Sequence, residues 1–180
     1  MDAYRRLRSR EVYRNPWVCV EVHDIVHPSG IAGEHVAVVT PKASAVIVID
    51  GEDLVFARQP RFAAGSEVIE IVKGGAAAGE SMLACAQREL REELGLKAEA
   101  WEALGEVYEI PSIVVQPVAL FVARGLWACP REPEDVESIE PVRMTARAAY
   151  ERAASGGIVD AVTLAALLRW GLRTGALRAS

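Results

Sequence analysis

Apolar residues recur at strand-like spacing through most of the chain before residue 74, and at helical spacing in three later segments. Runs at residues 18–26 and 35–39 flank His27-Pro28-Ser29-Gly30, which predicts an antiparallel hairpin closed by a turn. Residues 44–49 and 53–58 predict a second hairpin across Asp50-Gly51-Glu52, because an Asp-Gly pair supplies the backbone freedom of a tight turn. Residues 68–72 read as a short apolar strand, and residues 98–108, 118–123 and 137–144 as further strands. From Glu80 the spacing becomes helical, with Leu83, Ala86, Leu90 and Leu94 on one apolar face and Gly95 placed to end the helix in a left-handed turn. Thr145 is positioned to cap a helix through Ala154 that Gly156-Gly157 closes. Residues 160–172 predict a last amphipathic helix with Leu164, Leu167, Leu168 and Leu172 inward. This order of elements predicts an α/β protein, a mixed sheet sandwiched between helices.

The first helix carries an unusual face. Glu89, Glu92 and Glu93 stand at i, i+3 and i+4, so three carboxylates project from one side. Such a cluster is unfavourable alone, costing roughly 0.2–0.5 kcal/mol per like-charged pair even when exposed. Arg88 and Arg91 offset part of this, and Arg88 to Glu92 is an i, i+4 pair. A solvated, ion-paired helix face is the plain reading. The alternative is that a divalent cation neutralises the cluster; oxygen donors suit a hard ion, Mg²⁺ first and Mn²⁺ as substitute.

Spacing favours the second reading. Gly74 is followed after five residues by Glu80, and after seven more by Arg88-Glu89-Leu90-Arg91-Glu92-Glu93-Leu94-Gly95-Leu96. All fixed positions of the Nudix box are met, so the chain resembles the Nudix hydrolases. The resemblance implies a three-layer α/β/α sandwich and hydrolysis of a diphosphate bond in a nucleoside diphosphate linked to another moiety. It also implies Glu89 and Glu93 as the main metal ligands, the Lys73 carbonyl completing the shell, and Glu92 and Glu93 in catalysis with Arg88 orienting the carboxylates. The N-terminal hairpin resembles the β extension of the ADP-ribose pyrophosphatase branch, whose strands exchange across a homodimer. Residues 1–42 are therefore expected to form an antiparallel β extension, and residues 43–180 the Nudix domain.

Further features resemble that branch. Pro111 falls 16 residues after Gly95, Arg58-Gln59-Pro60-Arg61 precedes the box, and Glu70 lies four residues before Gly74. The stretch Gly157-Ile158-Val159-Asp160-Ala161, with Thr163, resembles the branch's helix start. Arg61 would offer a planar cation to a substrate phosphate. Arg58 would either do the same or pair with Glu70, which is itself carried as a substrate-side residue. Trp17 lies where related enzymes stack a base, and hydrophobic packing is its other reading. One position departs from the branch: Gln116 falls where a glutamate is expected. An amide can orient water but cannot take a proton, so the base is expected to be Glu92, Glu106, Glu109 or a carboxylate of Glu134-Asp135-x-Glu137, unless none is needed. The expected activity is Mg²⁺-dependent hydrolysis of ADP-ribose or a related nucleoside diphosphate sugar. A dinucleoside polyphosphate or coenzyme substrate, and a non-catalytic nucleotide-binding module, are the alternatives.

Composition narrows this little. At 180 residues, 51% apolar and 25% charged, the chain can bury a proper core. Its formal charge of −5 argues against non-specific nucleic-acid binding. Cys19, Cys85 and Cys129 are an odd count at wide spacing, neither a disulfide framework nor a zinc site, which points to a reducing cytoplasm. No apolar run approaches a membrane span, and no signal peptide is apparent.

Overall fold

The computed structural model describes residues 4–131 and 138–177. In chain order the elements are β1 (Arg5–Arg14), β2 (Cys19–Val26), β3 (Ala32–Val39), β4 (Ala43–Asp50), β5 (Asp53–Arg61), β6 (Ser66–Glu70) and β7 (Val72–Gly75). They continue with α1 (Met82–Leu94), β8 (Leu96–Tyr108), β9 (Val114–Val115), β10 (Pro117–Ala128), β11 (Glu140–Thr145), α2 (Ala146–Ala154) and α3 (Ala161–Thr174). They fall into two compact units: one runs up to Lys42 and includes Tyr108–Pro117, and the other holds Ala43–Val107 and the chain from Val118.

The first unit is a four-stranded sheet in the order β1-β2-β3-β9. The expected hairpin is present as β2 and β3, joined by a turn in which the Gly30 amide donates to the His27 carbonyl at 2.8 Å. Two strands were not expected. β1 pairs antiparallel with β2, and all ten of its residues are exposed. Register shifts between Arg6 and Arg8 and between Glu11 and Tyr13 break its alternation, so no period of two survives in the sequence. β9 joins β3 in parallel, and Tyr108–Pro117, expected within the second domain, group with this unit instead.

The second unit holds a mixed sheet in the order β11-β5-β4-β10-β8, with β6 paired to β5 and β7 to β4. β4 is apolar on both faces because both are covered. Ala45, Ile47 and Ile49 pack with Leu167 and Trp170 of α3 and Ala149 of α2, whereas Val46 and Val48 pack with Ala86 and Leu90 of α1. Burying each such Val, Leu or Ile side chain contributes about 1.5–3 kcal/mol. The result is the α/β/α sandwich that the sequence predicts. β4 turns into β5 through Gly51-Glu52; Gly51 has φ 63° and Glu52 keeps a negative φ, which suits a type II′ turn with glycine first.

Several elements differ in detail. Residues 68–72 are not one strand: β6 ends at Glu70 and β7 begins at Val72, so the chain changes ladder at Ile71. Helix α1 begins at Met82 rather than Glu80, with the Ser81 hydroxyl accepting from the Ala84 amide at 3.1 Å. Leu83, expected inward, is exposed; the covered face is Cys85, Ala86, Glu89, Leu90 and Glu93. Gly95 ends the helix as expected, at φ 64°. In α3 the buried face is Val162, Thr163, Ala166, Leu167, Trp170 and Gly171, so Leu164, Leu168 and Leu172 point outward. Small residues turn inward there because Tyr150 of α2 lies against Gly171 and stacks on Trp170, with ring centroids 6.3 Å apart.

Candidate active site

The box places its charges by a single arginine. Arg88 sits on α1 with its Nη1 2.7 Å from Glu89 Oε1 and 2.7 Å from Glu92 Oε2. Its Nε donates to Glu80 Oε1 at 3.0 Å, and its Nη2 to Glu80 Oε2 at 3.1 Å and to the Gly75 carbonyl at 2.7 Å. One planar fork therefore ties the loop before the helix, the end of β7 and two helix carboxylates together. Glu80, chiefly through its hydrogen bonds from Arg88 and then through the Ala77 amide, is held below its ordinary carboxylate range. Arg88 is correspondingly raised, with Glu80 the largest contributor. The one guanidinium lies against all three of these glutamates and offsets part of their mutual repulsion.

Gly74 explains itself by contact. A β-carbon there would lie 2.1 Å from the Glu89 carboxyl carbon and from Glu89 Oε1, so the carboxylate occupies the space a side chain would need. Ser44 of β4 donates to the Met82 carbonyl at 2.6 Å, fixing the start of α1 over the sheet. Cys85 is fully buried with its Sγ 3.5 Å from the Gly74 carbonyl, and burial pushes its thiol up. Glu93 lies one turn beyond Glu89, only 2% exposed.

The strand residues form a second cluster. Glu70, 1% exposed, accepts from Gln59 Nε2 and Arg61 Nε at 2.8 Å each, and its other oxygen lies 3.2 Å from Lys73 Nζ. Arg58 does not pair with Glu70; it pairs with Glu140 at 3.2 Å. The register explains this. Ala57 faces Glu70 across the ladder, so Gln59 and Arg61 share the Glu70 face while Arg58 points to the other. Glu70 is thus a buried counter-ion for two cations rather than a carboxylate open to a ligand. Lys73 also pairs with Asp160, the residue that caps α3.

Trp17 and Gln116 belong to the unit that carries β1. Trp17 is 74% exposed, so it is not a hydrophobic anchor of its own unit. The Asn15 side chain accepts from the Trp17 and Val18 amides at 2.9 and 2.8 Å, which fixes the turn that presents it. Gln116 donates to the Pro41 carbonyl at 3.1 Å. Glu106 and Glu109 are exposed, and Glu134, Asp135 and Glu137 lie outside the described residues. The sequence reading did not single out the Glu80–Arg88 pair, Ser44, or the Lys73–Asp160 pair; none of these partners lies within one helix turn of the other.

Among the described residues no three His, Cys, Asp or Glu side chains converge as a ready cation cage, since Glu80, Glu89 and Glu92 gather on Arg88 instead. The donor chemistry nevertheless fits a hard divalent ion, with several carboxylates and backbone carbonyls beside a glycine that leaves them room.

The NUDIX domain family model matches residues 39–160, and the nucleoside diphosphate sugar hydrolase N-terminal domain model matches residues 4–35. The chain belongs to the Nudix hydrolase family. It is similar to the methanol dehydrogenase activator of Bacillus methanolicus, 30% identical over 123 residues that cover 68% of this chain and 66% of that protein. The crystal structure of ADP compounds hydrolase shares the fold, with a TM-score of 0.86 at 22% identity over 98% of both chains.

Proposed function

We propose that the chain is a Mg²⁺-dependent pyrophosphohydrolase acting on ADP-ribose or a related nucleoside diphosphate sugar. The observation that carries this reading is the Glu89 carboxylate lodged against Gly74, a contact that serves an acidic site and not a solvated helix face. The N-terminal match to a nucleoside diphosphate sugar hydrolase domain and the fold shared with ADP compounds hydrolase support the substrate class. Glu89, Glu93 and the Lys73 carbonyl would hold the ion, with Glu92 beside them. When bound, the ion neutralises phosphoryl charge and polarises the oxygens of the diphosphate. Arg88 keeps the glutamates aligned, and Arg61, braced by Glu70, grips a phosphate. A water oxygen bonds to one phosphorus as the bridging P–O bond breaks, giving a nucleoside monophosphate and a sugar phosphate. Glu92 is the group that takes the proton, since Gln116 can only orient the water by hydrogen bonds.

Trp17 is proposed to stack on the base, which its exposure leaves available. Arg58 is proposed only as an outer contact, because it faces the other side of β5. A homodimer is proposed from β1, whose exposed Leu7, Val12 and Tyr13, with Tyr4 just before it, offer apolar surface suited to a second copy. Three cysteines without a disulfide suit a cytoplasmic setting, and no helix of the described residues is long and apolar enough to cross a membrane.

The test is release of nucleoside monophosphate from a panel of diphosphate sugars, dinucleoside polyphosphates and coenzymes with Mg²⁺, beside Glu93→Gln. Turnover of a diphosphate sugar that Glu93→Gln abolishes supports the reading. Turnover only of the longer polyphosphates or coenzymes moves the substrate class. If wild type and variant are equally inert while a nucleotide binds, the chain is a binding module, the reading that Gln116 favours.

A further inference from the structure

Ile71 marks a weak point in the sheet. β6 is bonded only to β5 and β7 only to β4, so the four residues from Glu70 to Lys73 step from one ladder to the next. A buried backbone amide at such a step needs a partner from outside the ladders. It finds one on α3: the Ile71 amide donates to Thr163 Oγ1 at 3.0 Å. That hydroxyl, 0% exposed, donates in turn to Asp160 Oδ2 at 2.7 Å, and the same Asp160 oxygen accepts from the Thr163 amide at 2.9 Å. Asp160 Oδ1 takes Lys73 Nζ, and Lys73 Nζ reaches Glu70. The first turn of α3 thus grips both ends and the middle of the step.

Asp160 is more than a helix cap in this arrangement. Burial disfavours its charge, yet the charge of Lys73 and hydrogen bonds from Lys73 and Thr163 outweigh burial and hold its pKa below the ordinary value. The next residue after Lys73 is Gly74, and the Glu89 carboxylate lies directly against it, in the place a β-carbon would take. On the other side of the step, Glu70 braces Arg61.

We propose that Asp160 is a positioning residue: through Lys73 it fixes the strand step, so that Gly74 seats Glu89 and Glu70 seats Arg61. This rests on the proposed function in taking Glu89 for a metal ligand and Arg61 for a phosphate contact. It differs from a capping role, because an asparagine caps a helix as well as an aspartate does but offers Lys73 no charge.

The experiment measures Mn²⁺ binding by electron paramagnetic resonance, with melting in parallel, on wild type, Asp160→Asn, Lys73→Met and the double variant. Loss of a group that orients a metal ligand weakens binding by roughly 10- to 100-fold, and that loss is expected in Asp160→Asn with α3 intact by circular dichroism. The double variant is expected to regain part of the lost melting temperature, since neither charge is then left buried alone, and not to regain Mn²⁺ affinity. If Asp160→Asn melts lower yet binds Mn²⁺ as wild type does, the residue is structural and the inference falls. If wild type binds no Mn²⁺ at the glutamates, the functional reading fails instead. In that case Arg61 decides: an unaltered affinity for a nucleoside diphosphate in Asp160→Asn overturns the inference as well, and a weakened one sustains it.

Discussion

The Glu89 carboxylate fills the space that a side chain at Gly74 would need: a β-carbon there would stand 2.1 Å from the carboxyl carbon. Gly74 lacks a positive φ, so its role is steric and not conformational. Gly74→Ala is therefore expected to displace Glu89 while leaving the backbone unstrained. A displacement near 1 Å in such a site lowers turnover by about 100-fold. Assays with Mg²⁺ beside thermal melts check this; a variant with wild-type kcat/KM would show that Glu89 need not sit there.

Arg88→Met should make folding depend on the metal. The guanidinium serves Glu80, Glu89 and Glu92 together, and its removal leaves three acids facing one another. Breaking a buried pair costs about 3–5 kcal/mol; Arg88 is partly exposed, so a loss of about 1–3 kcal/mol is expected after screening. Millimolar Mg²⁺ should raise the melting temperature of the variant more than that of wild type. Equal shifts in both would mean that the ion and Arg88 do not neutralise the same carboxylates.

Arg61 and Arg58, three residues apart on β5, should behave differently. Arg61→Ala removes a cation braced by a buried glutamate and is expected to raise KM by roughly 10- to 100-fold, the worth of a charged hydrogen bond. Arg58→Ala breaks only a partly exposed pair with Glu140 and should change KM less than about threefold. Steady-state kinetics on the two variants decide it. The reverse order would contradict the register of β5 with β6.

Tyr150 carries a testable pH dependence. Among the described residues its hydroxyl has no hydrogen-bond partner, and burial pushes it above its ordinary value near 10. Below that value both folded and unfolded chains keep the proton, and titration contributes nothing. As pH rises through it the unfolded chain ionises first, so stability falls with increasing pH. Tyr150→Phe should gain about 1 kcal/mol at neutral pH by removing an unmatched polar atom and should flatten the alkaline decline. Urea melts at pH 8 and 10.5 test both; an unchanged alkaline slope would exclude Tyr150 as its source.

Legibility from sequence followed the number of covered faces. β4 and α1 were readable because burial on both faces, or on one stripe, imposes a period on the residues. β1 was not, because ten exposed residues with two register shifts carry no period at all. In α3 the leucines drew the predicted face outward, while Ala166 and Gly171 lie inward because Tyr150 and Trp170 need the space. The box glutamates and Gly74 were visible as a spacing. The Arg61–Glu70 pair required knowing that Ala57 lies opposite Glu70, which is a fact of ladder register and absent from local pattern. Lys73 and Asp160 stand 87 positions apart, and only folding brings them together.

The step at Ile71 also sets a length that evolution cannot adjust one residue at a time. Inserting or deleting a single residue between Glu70 and Gly74 would rotate everything downstream by half a pleat, turning Val72 toward α3 and Lys73 toward α1. Tolerated changes of length before the box must therefore fall in the turns between strands, such as residues 62–65 between β5 and β6, where no ladder keeps count.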